Sequence, residues 1–418
     1  MKTNTLPEKH VFTQYQIFLI AIIAIIQFSV ILDFMVLSPL GVILLKDLQI
    51  KTTQFGWVVS VYAFSAGIAG LLAAGFADKY DRKILLLFFY CGFITGTLLC
   101  AIASTYEFLL VARIITGLFG GVIGSISMAI ITDLFKMEIR GRVMGFVQMA
   151  FAASQVLGIP VGLWLANRYG WHSPFWMIAA FSAIVCIIIF IYLKPVKEHL
   201  NYKTDLNPID HLIATISNKN YLKGFLATSL LATGGFMLMP FGSAFSINNL
   251  KIPMEYLPLL YGVTGVFTII FGPLLGKLSD KTGKYRLFVI GSVLSILMVA
   301  VYTNLGPTPL WMVMVLNVIL FVGITSRMIS ASALMTAIPT QQYRGAFMSI
   351  NSSIQQISGG IAAAGAGMIV VQSNSGELLH YPALGLVVIV SMLITIVLMY
   401  ILNEQVQKNK NVSSISKI

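Results

Sequence analysis

Charge is scarce in this sequence. Only 10% of the 418 residues are Asp, Glu, Lys or Arg, against about 25% in a typical soluble domain. With 57% hydrophobic residues and a mean hydropathy of +0.88, the chain reads as a membrane protein. Cysteine is rarer still. Cys91, Cys100 and Cys186 all fall within apolar runs, and none stands at a spacing that builds a metal site or a disulfide framework. His10, His172, His199, His211 and His380 fall in tails and loops. No zinc-protease helix and no membrane-serine motif accompanies them, so an intramembrane enzyme has no support. A long polar insertion is also lacking. The longest, roughly 195–221, is too short to fold as a nucleotide-binding domain. The stretch Gly272-Pro-Leu-Leu-Gly276-Lys277 has neither the spacing nor the Ser/Thr of a phosphate loop.

What the chain does have is twelve apolar runs, at 15–41, 53–77, 84–104, 107–132, 142–166, 173–194, 222–248, 256–279, 286–304, 309–337, 345–370 and 381–403. Crossing a bilayer core takes about 20 apolar residues, so each run reads as a helical span. The first has no cleavage site before it and reads as a retained span, not a signal peptide. The polar stretch divides six spans from six. The expected organisation is a first lobe over 1–194, a linker over 195–221 and a second lobe over 222–418 with a short tail. The net charge of +12 is unevenly spread. Counting alternate loops, 21 of the 27 basic residues fall on the side of the termini, four on the opposite side and two within spans. That asymmetry predicts cytoplasmic termini and removes the need for a nucleic-acid reading of the basic charge.

A polar turn between the second and third spans, Ala74 to Lys83, returns as Gly276 to Arg286. Asp78 and Asp280 lie 202 residues apart, and Arg140-Gly141 and Arg344-Gly345 lie 204 apart. Two landmarks at nearly one spacing predict two similar halves.

Ionisable groups inside a span are costly and are functional candidates by default. Asp33 lies ~12 Å from the outer end of span one, and Arg113 ~9 Å into span four, at 1.5 Å per residue. Similar depths predict an ion pair. Removal from water favours a neutral carboxyl and a nearby cation a charged one, so substrate can tip the balance. Asp33 and Arg113 are therefore proton-coupling candidates; a permanent structural pair is the alternative. Arg327 lies deeper, in span ten, with no acid inside the spans of its lobe. Gln148, Gln155, Asn317, Asn351 and Gln355 are the polar groups expected to share a substrate cavity with it, although such amides also bond helix to helix. If Asp33 satisfies Arg113, Arg327 is left as a cation that a substrate carboxylate or phosphate would neutralise. The alternative is that it ties span ten to carbonyls of span eleven. Small residues four apart, such as Gly158 and Gly162, let helices approach closely.

The chain resembles the major facilitator superfamily of secondary transporters over nearly its whole length. Asp78-Lys79-Tyr80-Asp81-Arg82-Lys83 is similar to the family's loop motif, with Asp81 where the family usually has Gly. Gly276 to Lys284 is its second copy. Arg113-Ile-Ile-Thr-Gly117 resembles the span-four motif. Gly158-Ile-Pro160-Val-Gly162 resembles the antiporter span-five motif, without the full glycine series. Leu32-Asp33 through Pro39 resembles the span-one motif of exporters. The resemblance is closest to proton-antiporting drug and sugar efflux proteins. It implies an all-α bundle of twelve helices in two lobes around a cavity alternately open to each side. Asp78, Arg82 and Lys83, with Asp280 and Lys284 in the second copy, are implied as a conformational gate. The implied protein is a monomer in a bacterial-type plasma membrane whose partners are protons, a small-molecule substrate and lipid, with no cofactor, metal or nucleic acid. An uptake symporter and a transport-inactive sensor are the rival readings.

Overall fold

The computed structural model describes residues 12–73, 80–135, 139, 143–144, 146–147, 149–150, 153–197, 213–339 and 343–415. In lipid, a backbone must satisfy its own hydrogen bonds, and long apolar segments do so as helices. The first lobe contains α1 (Gln14–Val36), α2 (Gly41–Asp47), α3 (Thr52–Ala73), α4 (Arg82–Ile102), α5 (Tyr106–Leu134), α6 (Ile159–Tyr169) and α7 (Ser173–Tyr192). The second contains α8 (Lys219–Leu238), α9 (Gly242–Asn248), α10 (Leu257–Thr282), α11 (Lys284–Tyr302), α12 (Leu310–Met335), α13 (Arg344–Ile369) and α14 (Tyr381–Ile415). Polar caps start several of them: Thr13 and Gln16 form a capping box on α1, and Thr105 caps α5.

Ten of these helices, among the described residues, are long and apolar enough to cross a membrane. The other two spans differ for separate reasons. Span eleven is α13, 26 residues long, but Asn351, Gln355, Gln356 and several serines dilute its hydropathy. Span five is interrupted by residues outside the described set and then passes through a π-turn, Ser154–Gly158, before α6. Pro160 follows that turn and has no N–H to donate, which favours a wider backbone loop just before it.

The runs expected at 15–41 and 222–248 are not single helices. Each breaks near a proline, Pro39 and Pro240, and a short helix follows. The two prolines lie 201 residues apart, so the breaks are a further mark of the repeat. A two-stranded hairpin, Val371–Gln372 with Leu378–Leu379, joins the last two spans and has no counterpart in the sequence expectations.

The start of α1 and the end of α14 lie at one end of the bundle; the other is the distal end. Between the lobes, α3 packs along α13, and α6 with its π-turn packs on α10. Several side-chain hydrogen bonds join the lobes at the distal end. The Ser38 hydroxyl donates to the Met239 carbonyl, and Ser243 donates to the Ser38 carbonyl at 3.1 Å. Thr52 donates to Val370 O at 2.6 Å, and Thr53 to Gly367 O at 3.0 Å. Asn167 donates to Met254 O at 3.3 Å. The backbones of α3 and α13 touch here: a Cβ on Gly56 would stand 2.9 Å from Ala363 O and 3.2 Å from Gly367 Cα. The apolar core follows the same division. One cluster runs from the first lobe into the distal half of the second, whereas Phe225, Phe288, Leu334, Phe347 and Leu402 belong to a separate cluster at the terminal end. The bundle is sealed distally.

Candidate functional site

Asp33 and Arg113 meet. Arg113 Nη1 donates to Asp33 Oδ2 at 2.8 Å, and neither side chain has any exposed surface. The other carboxylate oxygen accepts from Thr97 Oγ1 at 3.1 Å. The guanidinium carbon lies 4.4 Å from the centre of the Tyr62 ring, a cation–π contact in a site without water-exposed surface. Spans one, two, three and four thus each contribute one side chain. Small residues make this convergence possible: a Cβ on Gly117 would fall 2.4 Å from Tyr62 O, so α5 can only approach α3 this closely with glycine there. Arg113 Nε and Nη2 have no hydrogen-bond partner among the described residues. The carboxylate, by contrast, is fully engaged, so whatever perturbs Arg113 acts directly on Asp33.

Gly158 and Gly162 face span one. A Cβ at Gly158 would meet Leu32 Cδ1 at 2.5 Å, and one at Gly162 would meet Val36 Cγ2 at 2.8 Å. Pro160 points the other way, with its Cγ 3.6 Å from the Cβ position of Gly262 on α10. This segment therefore links the helix carrying Asp33 to the opposite lobe.

The expected cavity residues do not gather at one point. Asn317 lies near Tyr302, whose hydroxyl is 3.1 Å from Ser246 Oγ. Asn351 accepts from Thr228 at 2.6 Å. Gln155 sits in the π-turn with its amide oxygen buried and unpartnered among the described residues. Gln355 is half-buried on α13. Arg327 is buried, with its guanidinium carbon 5.6 Å from the Phe288 ring centre. Gln148 lies outside the described residues.

Of the expected gate, Asp78 lies outside the described residues and so does the side chain of Asp280. Around them, Arg82 Nε pairs with Asp133 at 3.1 Å, and Lys83 Nζ donates to Phe190 O at 2.9 Å. Asp81 caps α4 by accepting from Lys83 N at 2.9 Å and also accepts from Val196 N at 3.0 Å. The residue that departs from the family motif therefore ties span three to the chain leaving span six. Lys284 opens α11 and lines a cavity of about 190 Å³ with Ser279, Asn403 and Gln407. Replacing Asp81 by alanine is expected to remove the cap and the hold on Val196, lowering stability by about 0.5–2 kcal/mol; a melting curve of the purified variant checks it. Sequence reasoning did not find Thr97, Tyr62 or Asp133. The first two are single polar groups in apolar runs and carry no spacing signal, and Asp133 reads as an ordinary loop acid.

A two-lobe bundle of membrane-crossing helices, sealed at one end and holding a charge pair inside one lobe, is the architecture of a membrane transporter. The chain belongs to the Major Facilitator Superfamily, whose family model matches residues 23–363 and again 224–417. It is 28% identical over 272 residues to the uncharacterized MFS-type transporter YceJ of Bacillus subtilis, covering 64% of this chain and 68% of that one. It is 25% identical over 309 residues to the multidrug resistance protein MdtG of Salmonella arizonae, covering 72% and 75%. Among solved structures, a bacterial homolog of the human lysosomal transporter Spinster, in an inward-facing and unoccupied conformation, superposes with a TM-score of 0.70 at 16% identity, covering 95% of this chain and 97% of that one.

Proposed function

We propose that this protein is a proton-coupled exporter of a small organic molecule that works by alternating access. The observation that carries this reading is the Asp33–Arg113 pair: a carboxylate fully removed from water, held by one cation and one hydroxyl, where a change at Arg113 alters its affinity for a proton. Export is favoured because multidrug-resistance proteins are among its relatives, and because Gly158, Pro160 and Gly162 couple span one to the opposite lobe. With cytoplasmic termini, as the basic residues suggest, the distal seal faces outward. In this reading Asp78, Arg82 and Lys83, with Asp280 and Lys284, steady the alternative state. The protein acts as a monomer in a bacterial plasma membrane.

The test uses the purified protein in vesicles. A panel of drugs and metabolites is ranked by ligand-induced melting shift, and the strongest ligand is then presented with and without a pH gradient. Antiport predicts substrate-dependent movement of protons opposite to substrate. Movement in the same direction assigns an uptake symporter, and transport indifferent to the gradient removes proton coupling. Asp78→Ala is expected to slow turnover by shifting the balance of states by ~1–3 kcal/mol, leaving substrate affinity nearly unchanged; initial rates against substrate concentration read both.

A further inference from the structure

Arg327 is a buried cation of the second lobe whose surroundings, among the described residues, supply no counter-charge. The residue is 4% exposed, and its Nε and Nη2 have no hydrogen-bond partner among the described residues. Of the described acidic side chains of this lobe, Glu255 and Glu404 are exposed near the ends of spans, and Glu377 is half-buried in the last loop, paired with Lys251 at 2.8 Å. The backbone of Asp280 lies in the final turns of α10. Two hydroxyls near Arg327 are orphaned in the same way. Ser330 follows it by three residues, on the same helical face. Ser292 lies one turn beyond Phe288, over whose ring the guanidinium sits. Both have no exposed surface and no hydrogen-bond partner among the described residues. Their neighbours Ser295 and Ser326 donate to carbonyls of their own helices at 2.8 Å each, so the orphaned pair are not simply serving as helix filler.

The repeat shows what is missing. Gly234 stands beside Arg327: a Cβ built on it would lie 3.7 Å from Met392 Cε and 3.9 Å from Arg327 Nη1, ordinary contact distances, so the position tolerates a Cβ that it lacks. Gly234 follows Asp33 by 201 residues, the spacing that separates Pro39 from Pro240 on the same two spans. The first lobe places a carboxylate at this position of the repeat, and the second places a glycine. Arg327 is not the repeat mate of Arg113; it reaches the glycine from deeper in span ten. A guanidinium can only donate, and a buried cation is unfavourable without a counter-charge. A buried cation with no counter-charge inside the described spans of its lobe, on a helix face shared with one unpartnered hydroxyl and beside a helix that carries another, calls for an anion.

We propose that the second lobe binds a small monovalent anion, a halide or the carboxylate end of an organic molecule, between Arg327, Ser330 and Ser292 in the space left by Gly234. The site goes beyond the transport reading and does not depend on proton coupling.

The full chain, purified in detergent, tests this by its melting temperature as sodium chloride or sodium acetate replaces sodium methanesulfonate at constant ionic strength. The wild type is expected to show a rise that saturates. A response to chloride alone assigns a halide site, and a response to acetate as well assigns a carboxylate site. Arg327→Gln is expected to weaken the apparent affinity at least tenfold, and Arg327→Lys only a few-fold. Gly234→Asp supplies the counter-charge from within and is expected to respond to neither anion. Crystals soaked in bromide give a second readout, an anomalous peak within hydrogen-bond distance of Arg327, which needs no variant to fold. A melting temperature indifferent to both anions with no bromide peak, or the same dependence in Arg327→Gln as in wild type, overturns the proposal.

Discussion

Asp33→Asn is expected to lower transport driven by a pH gradient by at least two orders of magnitude while substrate exchange without a gradient persists. Asparagine keeps the shape of the side chain; its one amide oxygen can still accept from Arg113 while its NH2 group donates to the Thr97 hydroxyl, so the helices retain their packing. What it lacks is a site that binds and releases a proton. It also leaves the Arg113 guanidinium without a counter-charge, and removing one partner of a buried pair costs ~3–5 kcal/mol. A lower melting temperature is therefore part of the expectation. Comparing the two transport modes on the same folded preparation separates the roles. Equal loss of gradient-driven transport and exchange would make the pair structural. Gradient-driven transport at the wild-type rate would remove Asp33 as the carrier.

The second large effect concerns the distal seal. Gly56→Leu places a branched side chain where even a Cβ would stand 2.9 Å from Ala363 O and 3.2 Å from Gly367 Cα. Those atoms are backbone and cannot rotate away, so α3 and α13 must separate at this end. Each lobe keeps its own packing, because the collision lies only between them. The balance of states is expected to shift toward distal opening by ~2 kcal/mol or more, about thirtyfold in population. Ser38 is buried in the seal, 5% exposed. A Ser38→Cys probe combined with Gly56→Leu is therefore expected to react with a membrane-impermeant maleimide at least tenfold faster than Ser38→Cys alone. Unchanged labelling would mean that this contact does not hold the lobes together.

Much of the candidate site was legible before the fold. Asp33 and Arg113 stood out because lipid makes charge inside a span expensive, and depth along a helix follows directly from residue count. Their partners were not legible. Thr97 and Tyr62 are ordinary residues of apolar helices, and they matter only because spans two and three turn those faces toward span four. The cavity set shows the limit of reasoning by depth. Asn317, Asn351 and Arg327 all lie within spans, but rotation about the helix axis sends the first to Tyr302, the second to Thr228 and the third toward Gly234 and Phe288. Asp81 read as a flaw in a motif and proved to be a helix cap with a second bond to Val196.

By itself, the sequence determined the helical class, the number of spans and the two-fold repeat. These follow from hydropathy and spacing, which are properties of the chain in one dimension and are enforced by a solvent that cannot hydrogen-bond. Tertiary structure alone decided which faces meet. It closed the distal end through Ser38, Thr52 and Thr53, set Tyr62 beneath Arg113, and brought Arg327 against a glycine where the other lobe has an acid. Those outcomes depend on helix rotation and on contacts between residues 51 to 318 positions apart. No local pattern encodes them, because an apolar helix in lipid has no polar face to fix its orientation until its neighbours do.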